Sequence, residues 1–181
     1  MRRQVLFSLA AAAVVAIVLL GFALLGGNSG APAPGVVRIS GTIPEVSGTT
    51  LQGTPFETKA YRGKTLVVNF WNPYCTPCRQ EATVLDLAAG RLGDHAVVMV
   101  GVLFSNANFP HDVPSAARFA EELAEPYPTI DDPSHAIAGR FGVRGIPVTV
   151  IADARGRLRY EVLGALKPGQ LERLVRRVER R

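Results

Sequence analysis

Cysteine occurs twice in this 181-residue chain, and both copies fall in one short run, Asn69-Phe70-Trp71-Asn72-Pro73-Tyr74-Cys75-Thr76-Pro77-Cys78. The aliphatic segment Thr65 to Phe70 reads as a strand ending at Trp71. An Asn-Pro-Tyr turn follows, and a helical pattern begins at the second cysteine. Strand, turn and helix in that order put a thiol at a helix N-terminus. Free N–H groups and the helix dipole favour a thiolate there, and the thiolate is the nucleophile of disulfide exchange. The pattern points to redox chemistry.

Two other readings compete. A structural disulfide with two residues between its cysteines closes a very short loop, so its entropic gain is at the low end of the usual few kcal/mol. A domain of this size does not need such a staple to hold its core. A zinc site needs four ligands, yet His95, His111 and His135 stand far along the chain without ligand-like spacing. Neither a metal nor a cofactor is expected.

The chain is 48% hydrophobic, which suits one globular domain with an appendage. The appendage is residues 1–25. Arg2 and Arg3 precede Val5 to Leu25, a run without a charge. A signal-peptide core is typically about 7–15 residues, whereas roughly 20 apolar residues span a bilayer. The length favours an uncleaved transmembrane anchor, and the uniform hydrophobicity and flanking arginines set aside a buried core helix. A cleaved signal peptide is the alternative: Ser29/Ala31 and Ala31/Ala33 fit its cleavage pattern, but each leaves proline at the next position. With Arg2 and Arg3 kept cytoplasmic, everything beyond Gly26 lies outside, in an oxidising setting. Residues 26–35 read as a linker, flexible and then stiffened by prolines, and 36–181 as the domain.

The net charge of +5 is modest. The arginines at 173, 176, 177, 180 and 181 flank Leu171, Leu174, Val175 and Val178, which recur at helical spacing, so they mark the solvated face of an amphipathic helix, with anionic lipid as its one charged neighbour in view. No aromatic interleaving or nucleic-acid motif accompanies them, and nucleic acid is not an expected partner.

Along the domain, Val36 to Ser40 reads as a strand and Thr50 to Phe56 as a hairpin around Gln52-Gly53. Tyr61 to Lys64 turns into the buried strand 65–70, and a helix runs from Cys78 to Leu92 with Val84, Leu85, Ala88, Ala89 and Leu92 on one face. Gly93-Asp94-His95 breaks it. Ala96 to Leu103 is a second apolar strand, of the kind buried on both faces. After a loop at 104–114, a helix is expected from Ser115, as N-cap, to Glu125. Asp132-Pro133-Ser134 opens a short helix to Phe141, Pro147 to Ala152 is a third apolar strand, and Asp153 to Gly156 turns into Leu158 to Leu163. Pro168 is expected in the first turn of the last helix. This order describes a three-layer α/β domain with a mixed sheet.

Arg144-Gly145-Ile146-Pro147-Val148-Thr149 stands directly before the third strand. Together with W-N-P-Y-C-T-P-C, it resembles the thioredoxin superfamily over roughly residues 40–181. The resemblance implies a thioredoxin-like α/β/α sandwich, here preceded by one N-terminal transmembrane helix. It also implies that Pro147 is cis and packs against the disulfide, and that the backbone of Ile146 pairs with an incoming substrate chain. Three details resemble the membrane-anchored TlpA/ResA-like branch, which includes the thiol reductants of cytochrome c maturation. The stretch between Cys78 and Pro147 is longer than a minimal thioredoxin uses, with 104–133 able to hold the branch's insert. Glu81 stands where these proteins carry a helix glutamate, and Asn69 where thioredoxin has a buried aspartate. The segments 128–133 and 141–144 are also similar. Thr83 in place of a usual proline, Tyr74 in place of a commoner tryptophan, and Asn72-Pro73 depart from the pattern.

The mechanism this implies is dithiol–disulfide exchange. Cys75, exposed at the helix start, attacks or is attacked, and Cys78, more buried, resolves the mixed disulfide. Glu81 is read as a proton acceptor or as a charge that holds the thiol pKa up, against the plain alternative that an acidic residue near a helix start is favoured by the dipole. Trp71 and Tyr74 are expected at the apolar rim, with core the alternative for Trp71; Arg79 and Arg144 are read as solvated. The implied setting is the outer side of a bacterial membrane. The implied partners are exported thiol or disulfide proteins such as apocytochrome c or copper-site cysteines of an oxidase, and a membrane electron donor or acceptor. Oxidation of exported proteins is the alternative direction. A copper metallochaperone is weaker, since C-x-x-x-C and a well-placed histidine are lacking. A peroxiredoxin is set aside because its motif puts a proline where this chain has Val68.

Overall fold

The computed structural model describes residues 35–93, 96–122 and 127–180. Three long apolar runs make the centre of a sheet: β4 (Thr65–Trp71), β5 (Val97–Leu103) and β7 (Val148–Ala152). All seven residues of β4 are buried, as a continuous apolar run requires of a strand covered on both faces. Short strands complete it: β1 (Val36–Arg38), β6 (Thr129–Asp131) and β8 (Leu158–Leu163). The order is β1-β8-β7-β4-β5-β6. β4, β5 and β6 run parallel, while β7 is antiparallel to β4, β8 to β7 and β1 to β8. A separate hairpin pairs β2 (Ser47–Thr49) with β3 (Pro55–Glu57).

Side chains alternate across the sheet. Leu66, Val68, Phe70, Val100, Val102, Val148 and Val150 face a core closed by the hairpin and by helix α3 (Ala136–Phe141). Val67, Met99 and Ile151 face the opposite core, closed by α1 (Thr76–Leu92) and α4 (Gln170–Glu179). The last helix is the amphipathic one expected, with Leu171, Leu174, Val175 and Val178 buried and Arg173, Arg176 and Arg180 outside. Helix α2 (Val113–Glu122) lies in the β5–β6 connection and buries Ala116, Phe119 and Ala120. The result is the thioredoxin-like α/β fold with a central mixed sheet.

Several expectations are corrected in detail. α1 starts at Thr76, before Cys78, because Thr76 and Pro77 occupy its first turn, where proline loses no hydrogen bond. α2 starts at Val113, and its cap is Asp112 instead of Ser115: Asp112 Oδ1 accepts the Ser115 N–H at 2.9 Å. Pro168 precedes α4, whose N-cap is Gly169 at φ 70°. β6 has no counterpart in the sequence reading; it is three residues long and shows no periodicity of its own. The anchor segment 1–25, the linker to residue 34, His95 and the expected end of the second helix at Glu125 lie outside the described residues. Among the described residues, no helix is long and apolar enough to cross a membrane.

Candidate active site

β4 delivers the chain to the C-terminal end of the parallel strands, and the residues after Trp71 fold back on themselves. Asn72 is fully buried. Its Oδ1 accepts the Tyr74 N–H at 3.0 Å, an Asx turn, and its carbonyl accepts the Cys75 N–H at 3.0 Å. Its Nδ2 donates to the carbonyls of Phe104 at 2.8 Å and Pro110 at 3.1 Å. One side chain therefore shapes the turn and pins it to the loop after β5.

The turn ends at Cys75, the N-cap of α1, whose Sγ accepts the Cys78 N–H at 3.2 Å. Cys75 and Cys78 form a disulfide with S–S 2.05 Å. The sequence pattern predicts an exposed Cys75 and a more buried Cys78, but the two are 1% and 3% exposed. Elements distant in sequence close over them: Ala116 and Phe119 of α2 share their apolar cluster, and Phe109, Val113 and Ile146 pack against it. The Ile146–Pro147 peptide bond is cis, and Pro147 is buried. The structure thus brings the cysteine pair and the segment before β7 to one place.

Trp71 is not at a rim. It is 3% exposed, in the same cluster as the cysteines, and its Nε1 donates to Thr129 Oγ1 at 3.3 Å. The core alternative holds for it. Tyr74 is at the surface, 51% exposed. Its hydroxyl donates to Asp112 Oδ2 at 2.5 Å and reaches Ser115 Oγ at 3.2 Å. The Tyr74 hydroxyl first, and the Ser115 N–H next, hold the Asp112 carboxyl down to about 2. Arg79 is exposed but not free: its guanidinium stacks 4.4 Å over the Phe119 ring and donates to the Pro73 carbonyl. Arg144 is exposed.

Glu81 lies on α1 one turn beyond Cys78 and is 1% exposed. Its Oε1 accepts from Asn69 Nδ2 at 3.0 Å and its Oε2 from the Leu166 N–H at 2.8 Å. Asn69 also donates to Thr149 Oγ1 at 3.0 Å. Desolvation dominates and pushes the carboxyl up to about 7, with the two hydrogen bonds pulling it back. A buried acid poised near neutrality holds or releases a proton at little cost. Asn72, Asp112, Thr149 and Leu166 were not singled out as site residues from sequence. Asn72 in its Asn-Pro turn and Asp112 as a capping residue carried local signals, whereas Thr149 and Leu166 act across long separations. No group of three or more metal-ligating side chains occurs among the described residues.

The sequence model described as the AhpC/TSA family matches residues 39–161. Thiol-disulfide oxidoreductase ResA of Geobacillus kaustophilus is 25% identical over 137 residues, 76% of either chain. Thiol:disulfide interchange protein DsbE of Pseudomonas aeruginosa is 31% identical over 106 residues, 58% of this chain and 54% of that one. Among solved structures, DsbF of MTB in its mixed oxidized and reduced forms superposes with a TM-score of 0.67 at 27% identity, covering 76% of this chain and 99% of that one.

Proposed function

Since this chain belongs to the AhpC/TSA family of thioredoxin-fold proteins, we propose that it is an extracytoplasmic thiol–disulfide oxidoreductase that reduces partner disulfides through Cys75 and Cys78. The observation that carries the reading is the disulfide itself, set at the N-terminus of α1 with Cys75 as its cap. In the cycle, the Cys75 thiolate attacks a partner disulfide and expels one partner sulfur as thiolate. Cys78 then attacks the mixed disulfide, releases the second partner thiol and restores the Cys75–Cys78 bond. Two electrons pass to the partner, and a membrane donor returns them. Glu81 takes the Cys78 proton. Ile146 and Tyr74 flank the partner chain, with Ile146 offering its backbone.

The relatives named thiol-disulfide oxidoreductase and thiol:disulfide interchange protein support a thiol or disulfide client, and the resemblance to the TlpA/ResA-like branch implies an exported one such as apocytochrome c. The charge-free run Val5–Leu25 supports a single-pass anchor with the domain on the outer side. Oxidation of exported proteins is the second reading, because the same Cys75–Cys78 disulfide that closes the reductive cycle opens an oxidative one. A peroxidase reading lacks its motif, since Val68 stands in the proline position and is a core residue of β4.

The test is the reduction potential of the Cys75–Cys78 couple, with its redox state in cells trapped by alkylation. A reducing couple found as dithiol is expected. A strongly oxidising couple found as disulfide would sink the reductase reading, because about 30 mV is worth roughly 1.4 kcal/mol in such a couple and the direction follows from it.

A further inference from the structure

Cys75 must be struck by a sulfur in every exchange cycle, yet it is 1% exposed. Two walls stand around the pair. One is Ile146, which carries no side-chain hydrogen bond. The other is Phe109 with the start of α2, where Val113 packs against the cysteine cluster. This second wall is bonded to the active-site turn. The residue before Cys75 sends its ring across to the α2 N-terminus, and its hydroxyl meets Asp112 and Ser115 there. Opening the gap between turn and helix breaks that contact, whichever side moves.

α2 is suited to such movement. Of its ten residues only Ala116, Phe119 and Ala120 are buried, and two of those are alanines, so little apolar surface holds it down. The loop before it is pinned to the turn by Asn72, through Phe104 and Pro110, and to β6 by His111 Nε2 and Asp131 Oδ1 at 2.6 Å. Two ties join turn and α2: Arg79, which donates to the Pro73 carbonyl and stacks on Phe119, and the Tyr74–Asp112 hydrogen bond, which alone of the two reaches the helix N-terminus beside Val113.

We propose that Asp112 is a positioning residue of the exchange reaction: by holding the Tyr74 hydroxyl it keeps the approach to Cys75 closed, and a docking polypeptide opens it. The inference rests on Cys75 being the sulfur that is attacked. Both oxygens of Asp112 are engaged, Oδ2 by Tyr74 and Oδ1 by the Ser115 N–H, so the residue caps the helix and latches the turn at once. The substitution Asp112→Ser keeps a capping oxygen for the Ser115 N–H and has neither the length nor the charge to hold the Tyr74 hydroxyl. Tyr74→Phe keeps the ring and the cap and removes only the hydroxyl.

The experiment measures the second-order rate constant for reduction of the oxidised full-length chain by dithiothreitol, in Tyr74→Phe, Asp112→Ser and the double variant. Each single variant is expected to react on the order of fivefold faster, the rate equivalent of one exposed hydrogen bond to a carboxylate. The double variant is expected to react no faster than either single, since both remove the same contact. The equilibrium constant with glutathione should stay within about twofold, because a closed approach slows both directions alike. Val178→Ala at the end of α4 loosens the opposite core, away from the latch; it should lower the melting temperature and leave the rate constant within about twofold. Unchanged rates in both single variants, additive effects, an equilibrium constant that moves with the rate, or an equal acceleration in Val178→Ala each overturn the proposal. A wild-type disulfide that dithiothreitol does not reduce at all would instead overturn the exchange reading itself.

Discussion

Asn69 Nδ2 donates to Glu81 Oε1 at 3.0 Å, tying the middle of β4 to α1 one turn beyond Cys78. The partner is neutral, so it orients the carboxyl without cancelling the cost of burying its charge.

Glu81 therefore makes stability depend on pH in a defined direction. Its folded value is raised from 4.5 to about 7, so the folded chain holds more protons than the unfolded chain between those limits. Its contribution is fully present below about pH 4.5 and is lost as pH rises toward 7, on the order of 3 kcal/mol in total. Urea midpoints at pH 5 and pH 8 should fall further apart in the wild type than in Glu81→Gln. Equal spacing in the two proteins would contradict it.

The same residue should appear in the kinetics. If it accepts the Cys78 proton, Glu81→Gln slows resolution of a mixed disulfide by roughly tenfold above neutral pH, below the usual 10²–10⁴ of base catalysis because a thiol ionises readily. The rate profile of the wild type should show a limb near pH 7 that the variant lacks. Stopped-flow reaction with a mixed-disulfide intermediate reads both.

Cys75→Ser and Cys78→Ser should behave differently toward a client. The Cys78→Ser protein is expected to accumulate a covalent complex through Cys75, visible on non-reducing gels, because the resolving sulfur is gone. Trapping by Cys75→Ser alone would reverse the roles.

Gly101 leaves the space that Trp71 occupies. A Cβ there would stand 2.3 Å from Thr129 Oγ1 and 2.7 Å from Trp71 Nε1, in the middle of a strand without room to yield. Gly101→Ala is expected to cost about 1–3 kcal/mol as an overpacked core. Because Trp71 is the single tryptophan of the chain, its fluorescence should shift in the folded state as well.

Asp132 is buried and accepts the N–H groups of Ile137 at 3.2 Å and Ala138 at 2.9 Å at the start of α3. Asp132→Ala leaves both donors without a partner and should destabilise by about 2 kcal/mol, the upper range for a lost cap. Thermal unfolding measures it; Asp132→Asn keeps one acceptor oxygen for two donors and should recover no more than about half of the loss.

How far these features were legible depended on the range of the contact. β4, β5, β7 and the length of α1 were readable because a long apolar run or a helical period declares itself locally. The proximity of Cys75, Cys78 and Ile146 was implied by the resemblance to the thioredoxin superfamily, which their two motifs carry together. The burial of Cys75 did not, because Val113, Ala116 and Phe119 cover it from across the β5–β6 connection. Ser115 and Asp112 are both good capping residues three positions apart, and only the turn geometry selects Asp112. Trp71 at the end of an apolar strand fits rim and core equally until Thr129 is seen accepting its N–H.

Cys75 serves α1 as a cap as well as a reactant, through one sulfur. In the disulfide that sulfur is a neutral and weak acceptor for the Cys78 N–H. As a thiolate it would resemble the anionic caps that helices prefer. The oxidation state is then written into the backbone: the Cys78 amide should exchange with solvent more slowly in the dithiol protein than in the disulfide, a label-free record of electron occupancy at one peptide group.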